Sequence, residues 1–356
     1  MPRNPDVSRQ SSARRNAGRV SNFRRDLSFD VARGIGIILV VLGSCLDGLK
    51  APNFFPAALQ WPSLATYFVY LFNMPPFFVA SGHLASGSRD PAITTLWKLA
   101  RSILYPYFLW SLLRGLVQVY LSDYTSSHVE ISALYGILWI PIIPYGFLYA
   151  LFFCYLGYLA IRGFSHTVQL GIAVVVFAVP LFFTNAILNA HLQIVLQTTG
   201  GFLYFVLGAV SVSQVKQFGR WAAIAATVLF AVFATAFYQS QWIGAKAMVA
   251  MLPAAVAGIA ATLAWSRLLA AHPGAFRATL AFLGRYWIAI YVMHIFFTAG
   301  VRIALNRLGT QPSIAGTALE ILAATAVGIA LPLGINWVIS RFGLDSWFGL
   351  RHMETT

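Results

Sequence analysis

The amino-acid sequence predicts an all-α polytopic membrane protein with about ten transmembrane helices and both termini cytoplasmic. Three observations carry that expectation. Of 356 residues, 59% are hydrophobic and only 10% charged, where a soluble domain carries about a quarter of its residues as charges. The apolar residues gather into runs close to the roughly 20 residues that cross a bilayer as a helix. Lysine and arginine collect on one side of those runs, as the positive-inside rule requires.

The elements follow in chain order. Residues 1–28 form a basic tail (Arg3, Arg9, Arg14, Arg15, Arg19, Arg24, Arg25) without the apolar region of a signal peptide. It is expected to stay attached as a disordered cytoplasmic segment drawn to anionic lipid. Apolar runs then place membrane segments at 30–49, 63–86, 97–120, 145–162, 167–186, 194–213, 220–239, 245–267, 279–300 and 315–339. The shorter run 131–143 leads into Pro141 and Pro144 and reads as an interfacial or re-entrant piece. The transmembrane domain is taken as 29–345, with 346–356 a short cytoplasmic tail.

Orientation rests on the flanks. With the N-terminus inside, that side receives the tail, Arg89, Lys98, Arg101, Arg162, Lys216, Arg220, Arg267, Arg277, Arg285, Arg341 and Arg351. The other side receives Lys50, Lys246, Arg302 and Arg307, with Asp123 and Glu130. The net charge of +14 therefore lies mostly in membrane flanks. No nucleic-acid motif accompanies it, so nucleic acid is not an expected partner. Cys45 and Cys154 sit inside apolar runs and read as small buried hydrophobes.

Polar residues within the runs are the candidate site, because an ionisable group inside the membrane costs about 2.5–3.5 kcal/mol on insertion scales. In "RGIGIILVVLGSCLDG", Ser44 follows Arg33 by eleven residues, about three helical turns and 16 Å of rise, which brings both to one face. Asp30 and Asp47 fall near that stripe. In "FNMPPFFVASGHLASGSRD", Pro75-Pro76 breaks the second segment. Carbonyls freed by prolines persist at membrane depth only beside protein or water. Asn73, Ser81 and His83 surround the break. In "TLWKLARSILYPYFLW", Lys98 and Arg101 are three apart and share a helix face. They read either as positive-inside anchors or as a clamp for phosphates. Arg114 lies deep enough to need a partner. "LGRYWIAIYVMHIFF" puts His294 inside the ninth segment with Tyr291 one turn before it. No metal-ligand spacing, phosphate loop or Gly-x-Ser-x-Gly elbow occurs, so no metal is expected.

Together these stretches resemble the acyltransferase-3 family of integral membrane O-acyltransferases, especially its fucose 4-O-acetylase-like branch, over roughly residues 26 to 350. "RDLSFDVARGIGIILVVLG" is similar to the family's first helix, and "FNMPPFFVASGHL" to its Phe-x-Met-Pro-x-Phe-Phe…Ser-Gly signature. "KLARSILYPYFLW" resembles its basic pair before Pro-Tyr, and "LGRYWIAIYVMH" its late Gly…Ile-Tyr…His element. The resemblance implies a multi-pass protein of the bacterial inner (cytoplasmic) membrane. It would transfer an acyl group, usually acetyl from acetyl-CoA, to a hydroxyl of a sugar in an exported or cell-surface polysaccharide or glycolipid. It assigns Arg33 and Asp30 to the acyl donor, Lys98 and Arg101 to its phosphates, and Asp47, Asn73, Ser81, His83, Tyr145, Tyr291 and His294 to the cavity.

One position departs from the pattern. The family's first helix carries an arginine, ten residues, then a histidine held to be catalytic, and here that place is Ser44. A neutral imidazole can take a proton near pH 7, whereas a serine hydroxyl cannot and is a nucleophile only beside its own base. The substitution predicts an inactivated or strongly weakened enzyme, unless Asp47, His83 or His294 serves Ser44 in a rearranged site. The rival from another class is a transporter or flippase of a lipid-linked sugar. The paired repeats common in transporters are absent from this sequence.

Overall fold

The computed structural model describes residues 27–49, 61–120, 131–138, 140–142, 144–189, 192–215, 219–240, 244–307 and 314–350. The basic tail up to residue 26 and the last six residues lie outside the described residues. Among the latter every regular element is a helix. They run α1 (Leu27–Gly48), α2 (Trp61–Tyr70), α3 (Pro75–Gly87), α4 (Ala92–Leu99), a π-turn (Ala100–Leu104), α5 (Tyr105–Tyr120) and a 3₁₀ segment (Ile131–Leu138). There follow α6 (Gly146–Ile161), α7 (His166–Asn189), α8 (Gln193–Val215), α9 (Arg220–Ser240), α10 (Gly244–Ala250) and α11 (Leu252–Ala271). The chain ends in α12 (Ala275–Arg285), α13 (Trp287–Arg307), α14 (Ile314–Arg341) and α15 (Asp345–Phe348).

Seven described helical runs are long and apolar enough to cross a membrane, and Gly146–Ile161 and Ile194–Val210 are shorter apolar helices. The apolar stretch 92–120 is assembled from α4, the π-turn and α5. The break expected at Pro75-Pro76 is present. Both prolines open α3 at its first positions, where a helix's N–H groups have no intrahelical partner anyway. The π-turn has a similar cause. Pro106 has no N–H to return to the Ser102 carbonyl, and the Tyr105 N–H reaches back to Ala100 instead.

Two boundaries differ from the sequence expectation. The run 279–300 is two helices, since Tyr286 leaves helical geometry (φ −99°, ψ 15°) between α12 and α13. Residues 279–285 thus belong to a short amphipathic helix packed on α1, and the membrane run begins at Trp287. The run 245–267 likewise divides into α10 and α11 at Met251, just before Pro253.

α1 is the hub, packing against α2, α3, α11, α12, α13 and α14. Glycine makes this possible. A methyl at Gly34 would strike the Leu280 carbonyl, and one at Gly284 would strike the Asp30 carbonyl, so the backbones of α1 and α12 touch on both sides. Gly82 on α3 and Gly208 on α8 make the same reciprocal contact with the Phe205 and Val79 carbonyls. Small residues that admit close backbone approach are how helices associate where lipid removes the usual hydrophobic drive. At the other extreme α9 lies along α11, meets α2 through Tyr67 and Phe68, and leaves Trp221, Val228 and Val232 exposed. A helix apolar all round is suited to lipid.

Gly284→Ala is therefore expected to lower stability by about 1–3 kcal/mol, the usual cost of overpacking, read as a fall in Tm in detergent. Gly171→Ala, with open space around the added methyl, is the control. It should be neutral or slightly stabilising, because alanine is the better helix former. Equal effects from the two would remove close approach as the organising contact.

Candidate active site

The packing of α13 on α1 brings together two residues 250 positions apart. The Ser44 Oγ lies 2.9 Å from the His294 Nε2. On the far side of the ring, Nδ1 lies 2.7 Å from the Tyr291 carbonyl and 3.2 Å from that of Ile290. Carbonyl oxygens only accept, so in the neutral imidazole Nδ1 carries the proton and Nε2 presents a lone pair. The Ser44 hydroxyl then donates to Nε2. His294 is fully buried, and its ring orientation is set by its own helix, one turn earlier. Nucleophile, base and a group orienting the base are the parts of a hydroxyl-activating dyad.

Beside the pair lies a cavity of about 40 Å³. Its polar lining is Ser44, Cys45, Thr298, Arg302 and Glu320, against apolar walls that include Ile295 and Ile321. The Arg302 head group lies over Gly48 at the end of α1, where a methyl would collide with it. Glu320 is 8% exposed although it sits in a membrane-length helix. Sequence reasoning missed both residues. Arg302 reads in the sequence as a flank residue, and Glu320 is not among the sequence candidates. Its signal was available: a lone acid in an otherwise apolar run, where each charge carries the insertion cost noted above.

A ring cluster backs the dyad. Tyr291 lies 6.0 Å from the His294 ring and 6.3 Å from that of Tyr145, centroid to centroid. The Arg114 guanidinium stands 6.0 Å over Tyr145. The two tyrosine hydroxyls are engaged elsewhere. Tyr145 donates to the Val292 carbonyl at 2.7 Å, and Tyr291 donates to the Pro144 carbonyl. They brace the segment before α6 against α13. Asn73 is buried at the same end of α1, its Nδ2 3.7 Å from where a methyl on Gly43 would sit.

The other expected site residues lie elsewhere. Asp47 is exposed and outside the cavity lining. Asp30 is buried and Arg33 half-buried near the opposite end of α1, with His83 stacked on Phe29 at 4.4 Å. Ser81 is buried on α3, its carbonyl accepting from the Tyr155 hydroxyl at 3.3 Å. Lys98 and Arg101 are exposed. Lys98 pairs with Asp90 at 2.7 Å, Arg101 stands 5.9 Å over Trp97, and Arg162 donates to the Asp90 carbonyl at 3.2 Å. These three cations form a basic rim at the end of the bundle remote from Ser44.

A family model described as an acyltransferase domain matches residues 26–337, most of the chain. The curated relatives include nodulation protein NolL of Sinorhizobium fredii (strain NBRC 101917 / NGR234), 39% identical over 93 residues, which is 24% of this chain and 23% of that protein. Nodulation protein NolL of Mesorhizobium japonicum is 38% identical over 90 residues, 24% of this chain and 23% of its own length. The chain thus aligns with less than a quarter of either relative. No solved structure matches.

Because its hydroxyl is held by the Val292 carbonyl, Tyr145 is a brace here rather than a group facing substrate. Tyr145→Phe is expected to cost about 1 kcal/mol, the usual net worth of one hydrogen bond, and to leave turnover largely intact. Thermal unfolding and a rate assay on the same preparation check it. Lost turnover with an unchanged Tm would put the phenol in the chemistry.

Proposed function

The chain belongs to the acyltransferase family whose domain spans residues 26–337, and we propose from that membership that it is a membrane O-acetyltransferase acting through a Ser44–His294 dyad. The donor is acetyl-CoA and the acceptor a hydroxyl of a sugar in an exported or cell-surface polysaccharide or glycolipid. The observation that carries this reading is the 2.9 Å contact of Ser44 with an imidazole whose other nitrogen is committed to backbone carbonyls. Ser44 stands where a base is expected, and the histidine of the late family element lies within hydrogen-bond reach of it. That supports a rearranged active site over an inactivated one.

The chemistry balances in two half-reactions. Ser44 Oγ attacks the thioester carbonyl and passes its proton to His294 Nε2. The C–S bond breaks, and the departing thiolate takes that proton, leaving acetyl-Ser44. An acceptor hydroxyl then gives its proton to Nε2 and attacks the ester carbonyl, and Ser44 leaves and recovers the proton. General-base help of this kind contributes about 10²–10⁴-fold. In this proposal Lys98, Arg101 and Arg162 form the cytoplasmic rim that meets the donor's phosphates, since all three lie at one end and all three are exposed. Arg33 and Asp30 stand on the route from there along α1. The bilayer is that of the bacterial inner membrane, with both termini inside.

The decisive experiment is Ser44→Ala. The proposal expects all turnover to be lost, and intact mass after incubation with acetyl-CoA to show an acetyl adduct on Ser44 in the natural sequence only. An inactivated chain would lose nothing on Ser44→Ala and would gain acetyl transfer on Ser44→His. That outcome overturns the dyad.

The donor site is tested separately. Charge reversal of Lys98 and Arg101 together is expected to weaken CoA binding by well over tenfold, since a hydrogen bond to a charged group is worth about 1.5–3 kcal/mol. Unchanged affinity in a folded protein would take both residues out of the donor site.

A further inference from the structure

Glu320 is a carboxylate within a membrane-length helix, 8% exposed, in the lining of the cavity beside Ser44. Arg302 faces the same space from α13. Among the described residues the two face each other without an ion pair inside 4.0 Å, each within the other's field. A charge buried at membrane depth is ordinarily paired with another or with carbonyls. Here two opposite charges open instead onto an empty space shared with the nucleophile, and each keeps its hydrogen-bonding capacity for something that enters.

We infer that Arg302 and Glu320 hold one edge of a neutral polyhydroxylated acceptor, a vicinal diol of a sugar ring, against Ser44; this rests on the acyl-transfer reading above. The chemistry selects the ligand class. A carboxylate is acceptor-only with two oxygens, so it takes one hydrogen from each of two adjacent hydroxyls, while a guanidinium donates to their oxygens in a fixed fork. The pair is neutral overall and therefore does not favour an anionic acceptor over an uncharged one. Thr298 donates its own hydrogen to the Ile295 carbonyl at 3.3 Å, which leaves its oxygen as a further acceptor in the wall. Ile295 and Ile321 provide an apolar surface for the C–H groups at the entering edge of the ring. Size sets the limit. About 40 Å³ is room for roughly three waters, enough for two neighbouring hydroxyls but not for a whole saccharide. The ring enters by its edge and the remainder of the glycan stays outside.

The test separates binding from chemistry. Thermal unfolding in detergent, without acyl donor, is followed with the methyl glycosides of glucose, galactose and mannose as probes. At least one is expected to raise the Tm of the natural sequence, and the shift is expected to vanish in Glu320→Gln and in Arg302→Gln. Without sugar, Glu320→Gln should remain folded, with a Tm lowered by the Arg302 charge it leaves unmatched. In turnover its KM for the same glycoside should rise at least tenfold. Two results overturn the assignment: no glycoside shifts the natural protein, or the variants shift equally. If the sugar shift depends on Glu320 while no acetyl-Ser44 forms, the pocket stands and the Ser44 chemistry falls.

Discussion

The structure depends on how closely other backbones can approach α1. In lipid, burying apolar surface between helices gains little, because the tails are as apolar as the side chains, and association rests on contact and polar bonds. Gly34 and Gly284 remove the side chains that would hold α1 and α12 apart, so carbonyl oxygens meet Cα atoms directly. Gly36 does the same for Phe77 on α3, whose ring occupies the place a methyl would take. With these faces seated, α1 can present Ser44 to α13 and Cys45 to α14. The Thr325 hydroxyl then lies 3.7 Å from the Cys45 sulfur. A hub helix with larger residues at these positions could touch fewer neighbours, and the dyad would not close.

What the sequence revealed follows the range of each interaction. Helices governed by local composition were legible, as was the break at Pro75-Pro76, because proline acts on its own turn. The break at Tyr286 was not. Nothing in "AFLGRYWIAI" forbids a continuous helix, and the turn follows directly on Gly284, whose backbone lies against α1. Arg33 and Ser44 share a face of α1, whereas Asp47 continues it beyond the end of the cavity and stands exposed. His294 was visible as a histidine out of place. Its partnership with Ser44 spans 250 residues, and no spacing rule reaches that far. Glu320 had a local signal that was readable, and it lacked only a reason to be weighed beside the first helix.

The polar residues divide by what holds them. Tyr107, Tyr145, Tyr149 and Tyr291 each donate to a backbone carbonyl on another element. They spend their polarity on fixing the bundle, as buried tyrosines commonly do. Ser44 donates instead to a nitrogen that can keep the proton. Arg302 and Glu320 are committed to neither backbone nor each other. The first group accounts for the site's rigidity, and the other three carry its proposed chemistry.

The separation between the two ends of α1 bears on why a serine would serve as carrier in the proposed reaction. Arg33 and Ser44 stand about 16 Å apart along the helix axis, and the cavity at Ser44 has no residue from the basic rim in its lining. A donor whose phosphates rest on that rim must extend its thioester along α1, whereas an acceptor enters beside Glu320. The space of about 40 Å³ is too small to hold a thioester arm and a sugar edge together. A direct transfer with an imidazole base needs both substrates present at once. A covalent serine does not: the acyl group stays on Oγ while the donor withdraws and the acceptor arrives, and one imidazole moves the proton in both halves. Ser44 in place of the family's first-helix histidine, with His294 of α13 as its base, is consistent with exchanging a ternary complex for two binary ones.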